Sequence, residues 1–435
     1  MSEDATTMGA ITVGTKAELV RVTRDPMAAQ RDAGVSYRCR ESRAREARIR
    51  VRAALREAGV PIASGVAVGG PADPALELAV AVALAGRQTA SLLVGEVGLD
   101  GTLRGVRGVL PALLAAQRAG MESAIVPEAC ASEVVEGVEI RVLAARTLEE
   151  VLAHVDTGAP LVEVEPTHPT STGECPDMRD VRGHVAARRA LEIAAVGGHS
   201  VLLTGPPGAG KTMLARRLPW LLPAPTPDEV LEIAAIHSAA GLPLGDDRPF
   251  RAPHHTASAA AMLGGGVRTR PGEVSLAHGG VLFLDELPEF RRDVIDGLRI
   301  ALDQGEAIIS RGADRVRMPA APLLVAAMNA CPCGYAGDPT HICTCAPERI
   351  ERYQARVAPW LAMFDLRVTL HPQGHRESSA TIAARVAEAA RRPRKSAPAG
   401  ASRAARVAAT IAHMAGMDPT AAHTAEAAAL TGGGL

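Results

Sequence analysis

Aromatic side chains make up only 2% of this 435-residue sequence. Its cores must therefore be built from Ala, Leu and Val, and little material remains for a platform on which nucleic-acid bases could stack. Lysine is scarcer still, with Lys16, Lys211 and Lys395 standing alone among many arginines. A lysine kept where arginine serves almost everywhere else marks a position that needs a compact, flexible point charge. Net charge is nearly absent as well, at −1. Nothing global then calls for a nucleic-acid or membrane partner, and any such contact has to come from a local patch. Long apolar runs are missing: Ala75 to Gly86 is short and carries Glu77, and the opening MSEDATTMGA is acidic without an apolar centre. The expectation is a cytoplasmic chain with neither a secretory signal nor a membrane partner.

What is present fits globular protein, with 47% hydrophobic and 22% charged residues over a length sufficient for two or three domains. Residues 1–35 read as poorly ordered or as a partial start of the first domain. Residues 36–156 alternate helical and strand-like patterns: an Arg-rich helix from about Glu41 to Ala58, an apolar helix Leu76 to Ala85, then strands Ser91 to Val94 and Ser123 to Val126. From 157 to 177 the chain is rich in Pro, Thr, Gly and acid without a sustained period, and reads as a linker. Residues 178–372 give apolar strands separated by helices, the alternation of a doubly wound parallel sheet. Residues 373–435 turn to Ala and Arg, as a short helical lid would. The arginines from Arg38 to Arg56 are interspersed with Glu41 and Glu46, so a solvated face and a DNA contact both remain open.

The stretch LLTGPPGAGKTMLARRL, Leu202 to Leu218, carries the sharpest signal. Gly205, Pro206, Pro207, Gly208, Ala209, Gly210, Lys211 and Thr212 form a G-x-x-x-x-G-K-[ST] loop between an apolar strand and a helix start. Glycines let backbone N–H groups turn toward phosphates at a helix N-terminus. Lys211 is the cation for the β and γ groups, and the Thr212 hydroxyl is a Mg²⁺ ligand. ATP with Mg²⁺ is the ligand this implies. GGVLFLDELPEF, Gly279 to Phe290, is an apolar strand ending in two carboxylates, which suits Asp285 for the Mg²⁺ shell and Glu286 for the attacking water. LLVAAMN ends another apolar strand in Asn329, placed to orient that water or touch the γ-phosphate; a turn-forming role is the alternative.

Four of the seven cysteines crowd into a C-x-C, nine residues, C-x-C arrangement: Cys331, Cys333, Cys343 and Cys345. Four thiolates suit tetrahedral Zn²⁺, although paired C-x-C spacings are tighter than usual, and free thiols or a disulfide stay open. His341 is a spare ligand candidate. His254 and His255, after Pro253, read as polar loop residues or as part of an insert in the second domain.

These motifs, with DVRGHVAARRALEIAAVGGHSVLLTGPPGAGKT, RPFRAPHHTASAAAMLGGGVRTRPGEVSLAHGGVLFLDELPEF and AAMNACPCGY, resemble the YifB/ComM family of magnesium-chelatase-like AAA+ ATPases. The resemblance implies an α/β fold: a P-loop AAA+ ATPase domain with a parallel sheet and flanking helices, an N-terminal ribosomal-S5-like domain and a helical lid. It also implies a ring of copies of the chain, a hexamer, in which ATP bound between subunits moves loops against a substrate. For the ComM branch that substrate is branched DNA. GEVGLDGTLRGVRGVLPALLAAQRAG looks like the fold of the Lon protease domain as well, but GGPADPALELAV offers no serine and the helix after Pro111 no lysine. A serine–lysine peptidase is therefore excluded and the domain is read as non-catalytic.

One departure stands out against the family pattern. Where relatives resemble LLDRFDL, with an arginine reaching into the neighbouring subunit's pocket, this chain reads WLAMFDL, Trp360 to Leu366. Met363 at that position carries no charge and donates no hydrogen bond, so the expected consequence is impaired hydrolysis. Arg356 or Arg367 could substitute by a shifted approach, and Arg403 or Arg406 are candidates for the lid's phosphate sensor. Two other readings stay open: a metal-chelatase-type motor acting on a protein partner, and a nucleotide-binding scaffold that mixes with an intact paralogous subunit.

Overall fold

The computed structural model describes residues 6–30, 34–38, 42–169, 176–266, 269–311, 314–338, 341–370, 377–393, 397 and 400–432. Residues 1–5 and 31–33 of the expected first segment, 170–175 of the expected linker, 371–372 of the expected second domain and 373–376 of the expected lid lie outside these. The chain divides into two compact units: residues 1–171 with 227–246 and 267–271, and residues 172–226 with 247–266 and 272–435.

The first unit is built on an eight-stranded mixed sheet. Its centre is the antiparallel hairpin Thr6–Val13 and Lys16–Arg24, and Met8 lies beside Leu92 in parallel register. Residues before 36 thus form the middle of the sheet, and Val162–Glu163, inside the expected linker, pairs as its edge strand against Arg141–Ala145. Helix Pro227–Ala240 also belongs to this unit, which interrupts the continuous second domain expected from 178 to 372. Helix Glu77–Leu84 is apolar on every side except Glu77, and every one of its residues is buried. Each fully buried Val or Leu there contributes about 1.5–3 kcal/mol.

Glu77 escapes being an orphaned charge because the Arg-rich helix Ser42–Glu57 lies beside it. Arg50 donates to both Glu77 oxygens, at 3.2 and 2.5 Å, and the Val97 N–H adds a third bond at 3.2 Å. Arg48 donates to the Val35 carbonyl at 2.9 Å. At least two of the arginines that raised the DNA reading therefore hold the domain's own interior together.

The second unit is α/β with a five-stranded sheet, in the order Phe250–Arg251, Val281–Leu284, Leu323–Met328, Val201–Thr204, Leu366–Thr369. All its pairings are parallel. The strands Val201–Thr204 and Val281–Leu284 are buried along their whole length, which is why they read as unbroken apolar runs instead of alternating ones. Three helices close the chain, Ser379–Arg391, Arg403–Ala415 and Ala421–Thr431. The first is tied to helix Val185–Gly197 by Arg385, whose Nε donates to the buried Glu192 at 2.6 Å. No helix among the described residues is long and apolar enough to cross a membrane.

Candidate functional site

Sheet register assembles the site. Thr204 pairs with Met328 and Leu284 with Ala326, so the chain leaves three neighbouring strands at one edge of the sheet. Gly205, Asp285 and Asn329 are the residues that follow immediately. Beside them opens a cavity of 810 Å³, lined by the loop from Pro207 to Thr212, by Asp285, Glu286 and Glu289, and by Asn329 and Pro332.

The loop is shaped by backbone conformation. Gly208 and Gly210 have φ of 76° and 89°, the left-handed region that glycine enters without a side-chain penalty, and Gly210 caps helix Lys211–Arg217. Lys211 Nζ donates to the carbonyls of Gly205 at 2.7 Å and Pro206 at 2.9 Å, and to Asn329 Oδ1 at 2.9 Å. Burial pulls the Lys211 ammonium below its ordinary value, while the nearby carboxylates of Asp285 and Glu286 push the other way. Asn329 is the chain's sole asparagine, and it spans from the lysine of one strand end to the end of the next.

Thr212 Oγ1 donates to Asp285 Oδ2 at 2.8 Å. The hydroxyl and carboxylate needed to share one Mg²⁺ therefore already touch, and with an anion cradle beside them this donor set fits a magnesium nucleotide. Glu286 has φ of 54°, one of two described non-glycine residues with positive φ. Strain of that kind concentrates at functional positions. Its carboxylate lies 3.4 Å from His255 Nδ1. His255 lies against His254 with ring centroids 4.1 Å apart and planes tilted by 33°, and meets the buried Phe290 edge-on at 6.5 Å. Both histidines stand on a loop, His254 exposed and His255 half-buried and turned to Glu286.

Helix Pro347–Val357 adds two residues that no motif announced. Arg349 and Tyr353, four apart and so on one face, both line the cavity. Burial pushes the Tyr353 hydroxyl up to about 12, against the pull of a hydrogen bond from the Asn329 backbone. Arg356, one turn further, is 3.9 Å from Glu289. Only the helical spacing was visible in the sequence; nothing there said which surface the helix covers.

Other candidates sit elsewhere. Arg406 Nη2 donates to Asp365 Oδ1 at 2.7 Å, and Arg403 Nη2 to the Ala362 carbonyl at 3.0 Å. Asp365 precedes the strand whose first residue, Leu366, pairs with Val201, so both arginines lie at the opposite end of the sheet from the loop after Thr204. Met363 is half-buried against the cluster that contains Trp360 and Phe364, and its carbonyl accepts from Ser200 Oγ at 2.6 Å. Arg367 is spent on the Leu361 carbonyl at 2.8 Å. The four sulfurs of Cys331, Cys333, Cys343 and Cys345 come together, all within 4.8 Å of one another. His341 instead stacks on Tyr335.

A parallel sheet, a glycine loop and a strand-end carboxylate pair define the class as an AAA+ P-loop domain. Comparison with known proteins agrees. The family described as magnesium chelatase, subunit ChlI, matches residues 177–378, and a second, subunit ChlI of Mg-chelatase, matches 39–130. YifB of Escherichia coli is 41% identical over 384 residues, covering 81% of this chain and 75% of that protein. Competence protein ComM of Haemophilus influenzae is 46% identical over 294 residues, covering 65% and 57%. An uncharacterized Mycobacterium tuberculosis protein is 45% identical over 290 residues, again covering 65% and 57%. The chain belongs to the YifB/ComM family of magnesium-chelatase-like AAA+ proteins, and membership implies use of nucleotide and Mg²⁺. It spans little more than half the length of the ComM and mycobacterial relatives. A solved complex of magnesium chelatase subunits BchI and BchD is similar at 20% identity and a TM-score of 0.33, covering 48% of this chain and 65% of that one, too slight a likeness to argue from.

Proposed function

We propose that this protein is a cytoplasmic, ring-forming ATP-binding motor of the DNA-remodelling kind, a hexamer in which hydrolysis is slow because Met363 stands at the arginine-finger position. The observation that carries the reading is the contrast between two ends of one domain. At the cavity, Lys211, Thr212, Asp285, Glu286 and Asn329 converge; at Trp360 to Leu366 the Met363 side chain is a thioether packed on apolar neighbours. Mg²⁺ supplies Lewis-acid neutralisation of phosphate charge when bound. The protein's own residues do the rest. Loop N–H groups and Lys211 bind phosphate, Thr212 and Asp285 hold the metal, Glu286 takes a proton from the attacking water, and Asn329 keeps Lys211 aligned. His255 holds Glu286 in place.

Branched DNA is the proposed substrate, since the family resemblance of the ComM branch implies it and the relative named a competence protein aligns over 65% of this chain. The test is steady-state phosphate release with and without branched DNA, beside Glu286→Gln. Slow release that DNA hardly stimulates is expected; brisk, DNA-stimulated release overturns the slow-motor reading. A second reading, a scaffold that joins rings with an intact paralogous subunit, rests on the same Met363. Co-assembly with such a relative that restores hydrolysis favours it.

A further inference from the structure

The cysteine loop is part of the wall of the nucleotide cavity. Pro332, between the first two cysteines, lines the cavity, and Asn329 lies two residues before Cys331. Gly334, one residue after Cys333, has φ of 91° and lies so close to the glycine loop that a Cβ there would stand 2.4 Å from Pro207 Cδ. The loop thus presses on the phosphate cradle from one side and holds the end of the Asn329 strand on the other.

Its four sulfurs have the spacing of a metal site. Cys331 Sγ is 3.4 Å from Cys333 and 3.7 Å from Cys343, and Cys333 is 3.6 Å from Cys343. A tetrahedron with metal–sulfur bonds of about 2.3 Å has edges of about 3.8 Å. Disulfides need sulfurs about 2.05 Å apart, and all four cysteines are free. A backbone N–H already points at one of the sulfurs, that of Ala336 at Cys331 Sγ, 3.3 Å away. Such bonds stabilise negative charge on sulfur and orient it, as the outer partners of metal ligands do.

We propose that Cys331, Cys333, Cys343 and Cys345 bind one Zn²⁺ as four thiolates, and that the resulting knuckle is a strut that holds Pro207 and Asn329 in place, so that metal occupancy sets nucleotide affinity. The four thiols release four protons as the ion binds, leaving a site of net charge −2 toward which the Ala336 N–H points. A d¹⁰ ion with tetrahedral sulfur ligation and no open position is structural, so the knuckle takes no part in the chemistry. This inference rests on reading the neighbouring cavity as a nucleotide site.

The experiment uses the full chain purified without chelator. Elemental analysis is expected to return one zinc per chain, and Co²⁺ in its place to give the charge-transfer bands of a four-thiolate tetrahedral centre. Substoichiometric metal, or iron instead of zinc, overturns the assignment. Affinity for a fluorescent ATP analogue is then measured before and after zinc is withdrawn with a mercurial and chelator, and after it is returned. A reversible loss of about tenfold is expected; zinc that comes and goes without changing affinity overturns the strut. Gly334→Ala keeps every thiol and is expected to keep its zinc while weakening the analogue by a similar factor. Full zinc with no nucleotide binding whatever refutes the cavity's reading and leaves the metal site standing, whereas a chain that never takes up zinc yet binds the analogue normally refutes both the metal site and the strut and leaves the cavity's reading standing.

Discussion

Replacing Met363 by arginine tests the central proposal most directly. Met363 is half-buried beside Trp360 and Phe364, and its backbone is held by Ser200, so the position itself does not move when the side chain changes. An arginine stem covers much of the same apolar surface with its head in water, and loss of the thioether contacts costs about 1 kcal/mol. A small penalty is added by positive neighbours, since Arg403 and Arg367 donate to the carbonyls of Ala362 and Leu361, the two residues just before it. Against this stands the gain when a guanidinium meets phosphate charge across a subunit boundary, 10³ to 10⁵ in turnover in related reactions, or about 4–7 kcal/mol. Even with imperfect placement, Met363→Arg is expected to raise phosphate release per assembled protomer by at least about 100-fold, with ATP affinity nearly unchanged. The assay is steady-state release on material whose assembly state is checked by light scattering. A folded, assembled variant with the parent's rate refutes the reasoning, and so does a parent chain already turning over at about 1 s⁻¹ or faster.

Three further outcomes follow from other contacts. His255→Ala frees the Glu286 carboxylate, so single-turnover hydrolysis is expected to slow about threefold to tenfold while ATP affinity stays constant; an equal loss in both would make His255 a binding residue instead. Arg50→Ala strands the buried Glu77 charge, and a loss of about 3–5 kcal/mol, read as a drop in thermal midpoint of the first unit, is expected. Burial raises the Asp365 carboxyl, but hydrogen bonds and charge from His199 and Arg406 outweigh it and leave the group below its usual value. A depressed carboxyl stabilises the fold above the unfolded value near 3.9 and loses that contribution as pH falls through the folded one. Thermal midpoints measured on acidification are therefore expected to fall less steeply in Asp365→Asn than in the parent, and identical slopes would dismiss the contact as inconsequential.

Much of the second domain was legible because its evidence is contiguous. The glycine loop, the apolar run ending in Asp285 and Glu286, and the run ending in Asn329 each occupy a dozen residues or fewer, and parallel strands buried on both faces cannot be mistaken for surface segments. The first domain was harder. Its central hairpin lies before residue 36, where a short acidic start disguised it, and one edge strand hides in a stretch whose Pro and Thr content reads as linker. Arginines on Ser42–Glu57 looked like a surface feature until Glu77 supplied a buried partner 27 residues from Arg50.

By itself, then, the sequence determined the chemistry available: a lysine on a glycine loop, paired carboxylates at a strand end, four thiols in one short segment, and a methionine just before Phe364 and Asp365. Local spacing carries that information, because glycine conformation and strand burial act over a few residues. Tertiary structure alone decided who meets whom. It brought His255 to Glu286, set Arg349 and Tyr353 on the cavity wall, turned Arg406 toward Asp365, and laid the cysteine loop against Pro207. Those meetings depend on strand register and on the surface each helix covers, and both are settled by packing among residues far apart in the chain.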